Sequence, residues 1–262
     1  MKITLLGCGG SAGVPMVGGD DGAGVWGQCD PSEPRNIRSR SSIVIEGDDG
    51  RRLLVDTGPD LRSQLLSARI SAVHGVFYTH PHSDHVAGLD ELRAINRVID
   101  APLPIAANAE TMAELQSRFA YVFQPWNGEG FYRPVVEPQI VAERQFVAMC
   151  GLGFSVLGQR HGRIRSLGLR CGDFAYSTDV DFFDDGTLDA LANLDTWVVG
   201  CFQHDPHPAH AWIDLVLEWR ARIRPRRMVL THMGPDMDYR TLCDELPEGV
   251  EPGFDGMVLE SH

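Results

Sequence analysis

Thr79-His80-Pro81-His82-Ser83-Asp84-His85 puts three histidines and a carboxylate within six residues. Neutral imidazole suits zinc, manganese or iron, and a carboxylate suits the harder ions. The apolar run Gly75-Val76-Phe77-Tyr78 enters the cluster and reads as a buried strand, and Val86 to Arg93 leaves it and reads as a helix. Alternation on the turn between them can aim His80 and His82 one way and Asp84 and His85 another. Four such side chains exceed what one metal needs from one segment, so the spacing points to a metal centre, with partners to be found elsewhere in the chain.

Those partners have the same grammar, an apolar strand followed by a ligand-type residue. His161 follows Phe154-Ser155-Val156-Leu157-Gly158, Asp179 follows Tyr176-Ser177-Thr178, and His232 follows Arg227-Met228-Val229-Leu230-Thr231. One such residue is more often a polar turn; three behind a dense cluster point to strands that deliver ligands to a common edge. Asp56, at the end of the strand Arg52 to Val55, reads either as a ligand or, in preference, as a carboxylate that orients a histidine. Cys201 to His210 adds His204, His207 and His210 ahead of an amphipathic helix from about Trp212 to Arg222. This is more than a dinuclear site needs, which leaves one imidazole free to act as an acid or phosphate donor.

The elements that must position these groups are legible as short strands and turns. Strands are expected at Lys2 to Leu6, Ser42 to Glu46, Arg52 to Val55, Leu103 to Ala106, Phe146 to Ala148, Phe154 to Leu157, Ser166 to Arg170 and Phe174 to Ser177. Helices are expected through Leu61 to Leu66 and over Glu110 to Tyr121. The Gly-rich loop after the first strand is followed by Val14-Pro15 and not by a helix, which removes a dinucleotide-binding reading. Residues 16 to 41 form a long loop, and loops of that length are usually functional or disordered. It ends in Arg35-Asn36-Ile37-Arg38-Ser39-Arg40, read as an anion-facing rim with Arg38 and Arg40 as substrate-binding candidates. Residues 122 to 145, with Trp126, Phe131 and Tyr132, read as an insertion or lid. With no clean linker, 1–262 is treated as one domain.

Composition narrows the partners. The 262 residues are 43% hydrophobic, enough for a large buried core, and carry a formal net charge of -13. A broad phosphate-backbone interface is therefore not expected. The six cysteines are scattered without a CxxC, so neither a disulfide framework nor a cysteine zinc knuckle is read. No apolar run is long enough for a signal peptide core or a membrane span, and the expectation is a cytoplasmic protein.

The order HxHxDH, strand-end His, Ser-Thr-Asp, Thr-His resembles the metallo-β-lactamase superfamily. Gly7-Cys8-Gly9-Gly10-Ser11-Ala12-Gly13-Val14-Pro15, the arginine stretch running on to Ser41-Ser42, Asp56-Thr57-Gly58-Pro59-Asp60, His207-Pro208-Ala209-His210 and Leu230-Thr231-His232-Met233 bring it nearer to the PhnP-like phosphodiesterases. The resemblance implies an α/β (α+β) four-layer αββα sandwich with two divalent metals, zinc or manganese, at one edge. His80, His82 and His161 would hold one, Asp84, His85 and His232 the other, with Asp179 between them. It implies hydrolysis of a small phosphodiester, cyclic or open, by a metal-bound hydroxide. His210, titrating near the ordinary histidine value, would be the general acid, with His207 second; Asp84 would serve as a base were one metal lost. Other chemistries on this fold are a coenzyme PQQ biosynthesis role, tRNA 3′ processing, thioester or lactone hydrolysis, and metal binding without turnover. The type enzyme carries a structural zinc on early-loop cysteines and a later histidine; here that loop has only Cys29, and Pro235 stands three residues after His232, so no such zinc is expected. The early loop and the helix after His210 offer surfaces for a homodimer.

Overall fold

The computed structural model describes residues 1–261 of the chain. In chain order the elements are β1 (Lys2–Gly7), β2 (Ser42–Glu46), β3 (Arg52–Val55), α1 (Leu61–Ser67), β4 (Gly75–Phe77), α2 (Ser83–Val86), α3 (Leu92–Ile99), β5 (Leu103–Ala107), α4 (Ala109–Arg118), β6 (Val136–Ile140), β7 (Phe146–Met149), β8 (Leu152–His161), β9 (Ile164–Cys171), β10 (Phe174–Ser177), α5 (Asp185–Ala190), β11 (Thr196–Gly200), α6 (Ile213–Ile223), β12 (Arg227–Thr231), α7 (Tyr239–Glu245), β13 (Val250–Pro252) and β14 (Val258–Glu260). They form two seven-stranded sheets, ordered β14-β1-β2-β3-β4-β5-β6 and β13-β12-β11-β10-β9-β8-β7.

Alternating apolar side chains make the sheets stick face to face. Ile3, Leu5, Ile43, Ile45, Leu53, Val55 and Phe77 from the first sheet meet Phe154, Val156, Leu167, Leu169 and Tyr176 from the second. Phe77 and Phe154 pack edge to face with ring centroids 5.5 Å apart. The opposite faces bury against helices. Leu54, Val76 and Ile105 pack with Leu61, Leu92 and Leu115 on one side; Trp197, Val199 and Leu230 pack with Leu188, Val216 and Trp219 on the other. The result is the αββα four-layer sandwich.

Both sheets send parallel strands to one edge. β3, β4, β5 and β6 run parallel, as do β10, β11, β12 and β13. β8 is antiparallel to β9, which is antiparallel to β10, so β8 ends on that same edge. The C-terminal ends of β3, β4, β8, β10 and β12 carry Asp56, the His80 turn, His161, Asp179 and His232.

Three expectations are corrected. The helix expected from Val86 to Arg93 is split into the single turn α2, a 3₁₀ turn at Leu89–Glu91, and α3. Gly88 breaks it: its amide donates to Thr57 O, and a Cβ there would lie 2.1 Å from Gly58 O. Residues 122 to 145 are not simply a lid. Their second half is the edge strand β6, and the loop before it is tied to α3 by Arg97 to Phe131 O at 2.9 Å and Arg93 to Tyr132 O at 3.4 Å. Strands β6, β11, β13 and β14 were not expected; β6 contains Pro138, which a strand tolerates only at a sheet edge or bulge.

Candidate metal centre

The turn after β4 begins with Thr79, whose hydroxyl lies 2.8 Å from Asp56 Oδ2 and 3.0 Å from His80 Nδ1. A carboxylate only accepts, so the hydroxyl proton goes to Asp56 and His80 Nδ1–H donates to the hydroxyl oxygen. That leaves His80 Nε2 as a bare lone pair, buried and without a hydrogen-bond partner. His85 repeats the device. Its Nδ1 sits 2.7 Å from Asp56 Oδ2, and its Nε2 faces Asp179 Oδ2 at 3.0 Å and Asp84 Oδ2 at 3.2 Å. His161 repeats it again, with Nδ1 donating to Ala209 O at 2.6 Å and Nε2 turned to His82 Nδ1 at 3.3 Å.

Asp179 lies in the middle, 1% exposed. Its carboxylate oxygens are 3.0 Å from His85 Nε2, 3.1 Å from His232 Nδ1, 3.5 Å from His210 Nδ1 and 3.6 Å from His161 Nε2. Asp56, Asp179 and His232 hold positive φ of 64°, 48° and 55°. A non-glycine residue there costs about 1–3 kcal/mol, and such strain collects at functional sites. The electrostatics match. Burial disfavours charge on Asp179, yet His232, His85 and His80 hold its carboxyl well below the usual range. Burial opposes charge on His85 too, but Asp179, Asp84 and Asp56 overcome it and raise its pKa well above the ordinary value. Burial, with the neighbouring His85, holds His80 well below it.

These residues fit a divalent metal. Buried nitrogens of His80, His85 and His232 lack hydrogen-bond partners and converge with two carboxylates. The ligand atoms group as His80, His82 and His161; His80, His85 and Asp179; Asp84, His85 and His232; and His161, Asp179 and His210, each set within 4.8 Å. All seven residues expected as ligands therefore meet at one edge.

The expected substrate-side residues fare differently. Arg38 is corrected: it is 2% exposed, and its guanidinium donates inward to Met237 O at 2.6 Å, Gly234 O at 3.3 Å and Asn36 Oδ1 at 3.3 Å, so it cannot line a rim. Arg40 is partly exposed and paired with Asp60 at 2.9 Å. Next to it, a Cβ on Gly58 would meet Arg40 Cβ at 3.5 Å and Asp84 O at 2.5 Å, so Arg40 adjoins the metal turn. His210 stacks on His232 at 5.0 Å and on Phe202 at 4.9 Å. Burial first, then the neighbouring His232, pulls its pKa to about 3, so in this environment it is neutral at working pH, not titrating near the ordinary value. His207 Nδ1 accepts from the amides of Ala209 and His210, both at 3.2 Å, and so shapes the loop that carries His210.

Sequence reasoning missed Thr79 and Phe202. Thr79 had a signal, because a threonine precedes the ligand-type residue at Thr79-His80, Thr178-Asp179 and Thr231-His232 alike. Phe202 had none: its ring fits because Gly10 and Gly234 have no Cβ, which would lie 2.8 Å and 3.3 Å from it.

A family model described as the beta-lactamase superfamily domain matches residues 51–233. A crystal structure of a new diphosphatase from the PhnP family superposes with a TM-score of 0.89 at 30% identity, covering 100% of this chain and 98% of that one. The Zn(2+)-bound PqqB of Methylobacterium extorquens superposes at 0.73 with 17% identity over all of both chains, a likeness of fold. An octanoyltransferase of Porphyromonas gingivalis is 30% identical over 98% of this chain and 51% of its own length. The chain spans about half or less of the curated relatives it matches most strongly. Among the described residues no helix is long and apolar enough to cross a membrane. With the family match over most of its length and the PhnP-family structure superposed throughout, this chain belongs to the metallo-β-lactamase superfamily as a PhnP-like member.

Proposed function

We propose that the chain is a metal-dependent hydrolase that cleaves a small phosphodiester, with two divalent ions, zinc or manganese, per chain. The observation that carries this reading is the convergence of orphaned, buried imidazole nitrogens around Asp179. His80, His82 and His161 would hold one ion, Asp84, His85 and His232 the other, with Asp179 shared. When bound, such ions supply a nucleophile from water near neutral pH and neutralise charge on the reacting phosphoryl group.

The remaining work falls to the chain. Asp56 fixes the His85 tautomer and, through Thr79, that of His80, so the ligand nitrogens need no reorganisation. Arg40, partly exposed beside the metal turn, is the cation available to an anionic substrate. His210 is the proton donor to the leaving alkoxide, with His207 second. In the free protein His210 is neutral, and a phosphate oxygen seated against it favours its protonated form. The PhnP-family diphosphatase supports phosphate chemistry.

A second reading, acyl thioester chemistry, is raised by the octanoyltransferase, of which this chain matches 51%. Purified protein assayed on bis(p-nitrophenyl) phosphate, an octanoyl thioester and a lactone, alongside elemental analysis, separates the two. Turnover of the phosphodiester with close to two metal equivalents is expected. Full activity without metal, or thioester turnover in place of phosphodiester turnover, would remove the first reading.

A further inference from the structure

The imidazoles of the cluster are not all aimed in the same way. His80, His85 and His161 each rest one ring nitrogen on a fixed partner: Thr79 Oγ1, Asp56 Oδ2 and Ala209 O. His232 has no such support. Its Nδ1 faces Asp179, and its buried Nε2 has no hydrogen-bond partner. The ring is therefore directed by its backbone and by stacking on His85 and His210. That backbone stands at φ 55°, a conformation a histidine keeps only where its surroundings over-determine it.

The surroundings are the segment just after it. Met233 N donates to Cys8 O at 2.9 Å, and Gly10 N to Met233 O at 3.0 Å. Beyond that, Gly234 O and Met237 O both accept from Arg38, at 3.3 and 2.6 Å. Arg38 itself is anchored by paired backbone bonds to Val14, by Asn36 Oδ1, and by Cys29 Sγ at 3.8 Å. Asn36 in turn accepts from Tyr239 N at 2.8 Å. The guanidinium thus sits buried among carbonyls, an amide and a thiol, with its Nε unpaired. Burying a cation in this way costs folding free energy, so a gain in net stability is a poor reason for its presence.

We propose that Arg38 is the positioning residue of His232: a buried fork that holds the Gly234–Met237 turn and, through it, the backbone that presents this imidazole to a metal. The inference rests on the reading of His232 as a metal ligand. The planar fork presents two separate nitrogens in fixed geometry to the two carbonyls of one turn, which the single nitrogen of a lysine does not reproduce.

The test is metal binding by the whole chain, read by elemental analysis and by competition with a chelator. Arg38→Met and Arg38→Lys are compared with wild type and with Leu115→Ala, a core variant in the layer behind the other sheet that gauges general destabilisation. Both Arg38 variants should lose one of two equivalents, or bind it about 10–100-fold more weakly. Lysine should rescue little, and Leu115→Ala should keep both metals. If Arg38→Met does not fold, Arg38→Lys alone decides. Wild-type metal affinity in a folded Arg38 variant, or equal losses in Leu115→Ala, would overturn the inference while leaving the metal reading intact. A wild-type protein that binds no metal would overturn the metal reading and this inference with it.

Discussion

The two halves of the metal centre differ in how far water reaches them. His82, of the His80–His82–His161 half, is exposed, whereas His85 and His232 of the other half are 0% and 1% exposed and Asp84 is largely covered. In the proposed reading the two halves share Asp179 and the first turn, so the difference comes from what surrounds them. The open half is closed on one side by the β8–β9 hairpin leaning on Pro208-Ala209. The closed half is enclosed by the opening Gly loop, the Gly58–Gly88 contact and the segment after His232. His80 and His161 are buried as well, so on the proposed two-metal reading the exposed His82 is what would open its half to exchange with substrate and solvent.

The largest expected effect tests what the halves share. Asp179→Asn should cost on the order of 10³-fold in turnover, the upper range for removing one preorganised electrostatic group, and should weaken metal binding in both halves. Loss of a single equivalent would show that the halves do not share this carboxylate. Next comes the residue stacked on the closed half. His210→Ala should keep its metals and lose roughly 10²-fold in kcat on a diester with a poor leaving group. With p-nitrophenolate leaving, the loss should be much smaller. Equal losses on both substrates, mainly in KM, would make His210 a binding group and not an acid.

The comparison itself is tested by chelation. Metal should leave in two phases under excess chelator, and His82→Ala should abolish the fast phase and spare the slow one. A single phase in wild type would show that the halves exchange alike. The smallest effect is on the stability of the metal-free protein. His80, His82, His210 and His232 are all held below the ordinary histidine value of 6.5, chiefly by burial, and His85 is held above it. As pH falls through 6.5 the unfolded chain takes up protons that the four depressed imidazoles refuse, so stability should fall from pH 7 to pH 5. The His85 contribution runs the other way, present below 6.5 and lost as pH rises through its folded value. Unfolding midpoints at the two pH values decide the sign, and a higher midpoint at pH 5 would show that His85 dominates.

The sequence carried the cluster because local rules and the final structure agree there. His80 to His85 are contiguous, and His161, Asp179 and His232 each close a strand with a period-2 or continuous apolar run. Agreement ends where a distant segment decides. Arg38 sits among Arg35 and Arg40 in a polar loop, and only the carbonyls of Gly234 and Met237, some two hundred residues on, turn it inward. Gly88 looks like a tolerated glycine inside a helix until Gly58 O is brought against it. The Thr196–Gly200 strand is no shorter than strands the pattern announces, and its continuous apolar run Trp197-Val198-Val199 is a legible signal of a buried parallel strand that the sequence reading passes over. The low proton affinity of His210 belongs to its burial beside His232 and could not be read from its spacing.

One pairing sets an order of events in folding. β1 lies between β2 and β14, with Lys2 opposite both Glu46 and Glu260. During synthesis β2 is available almost at once, but β14 emerges only after more than two hundred further residues. Until then β1 is a bare sheet edge, with Ile3 and Leu5 in a half-made core and backbone groups free to pair with another chain. β14 is the strand that closes this edge, so nascent chains should be most prone to aggregate in the interval before β14 emerges.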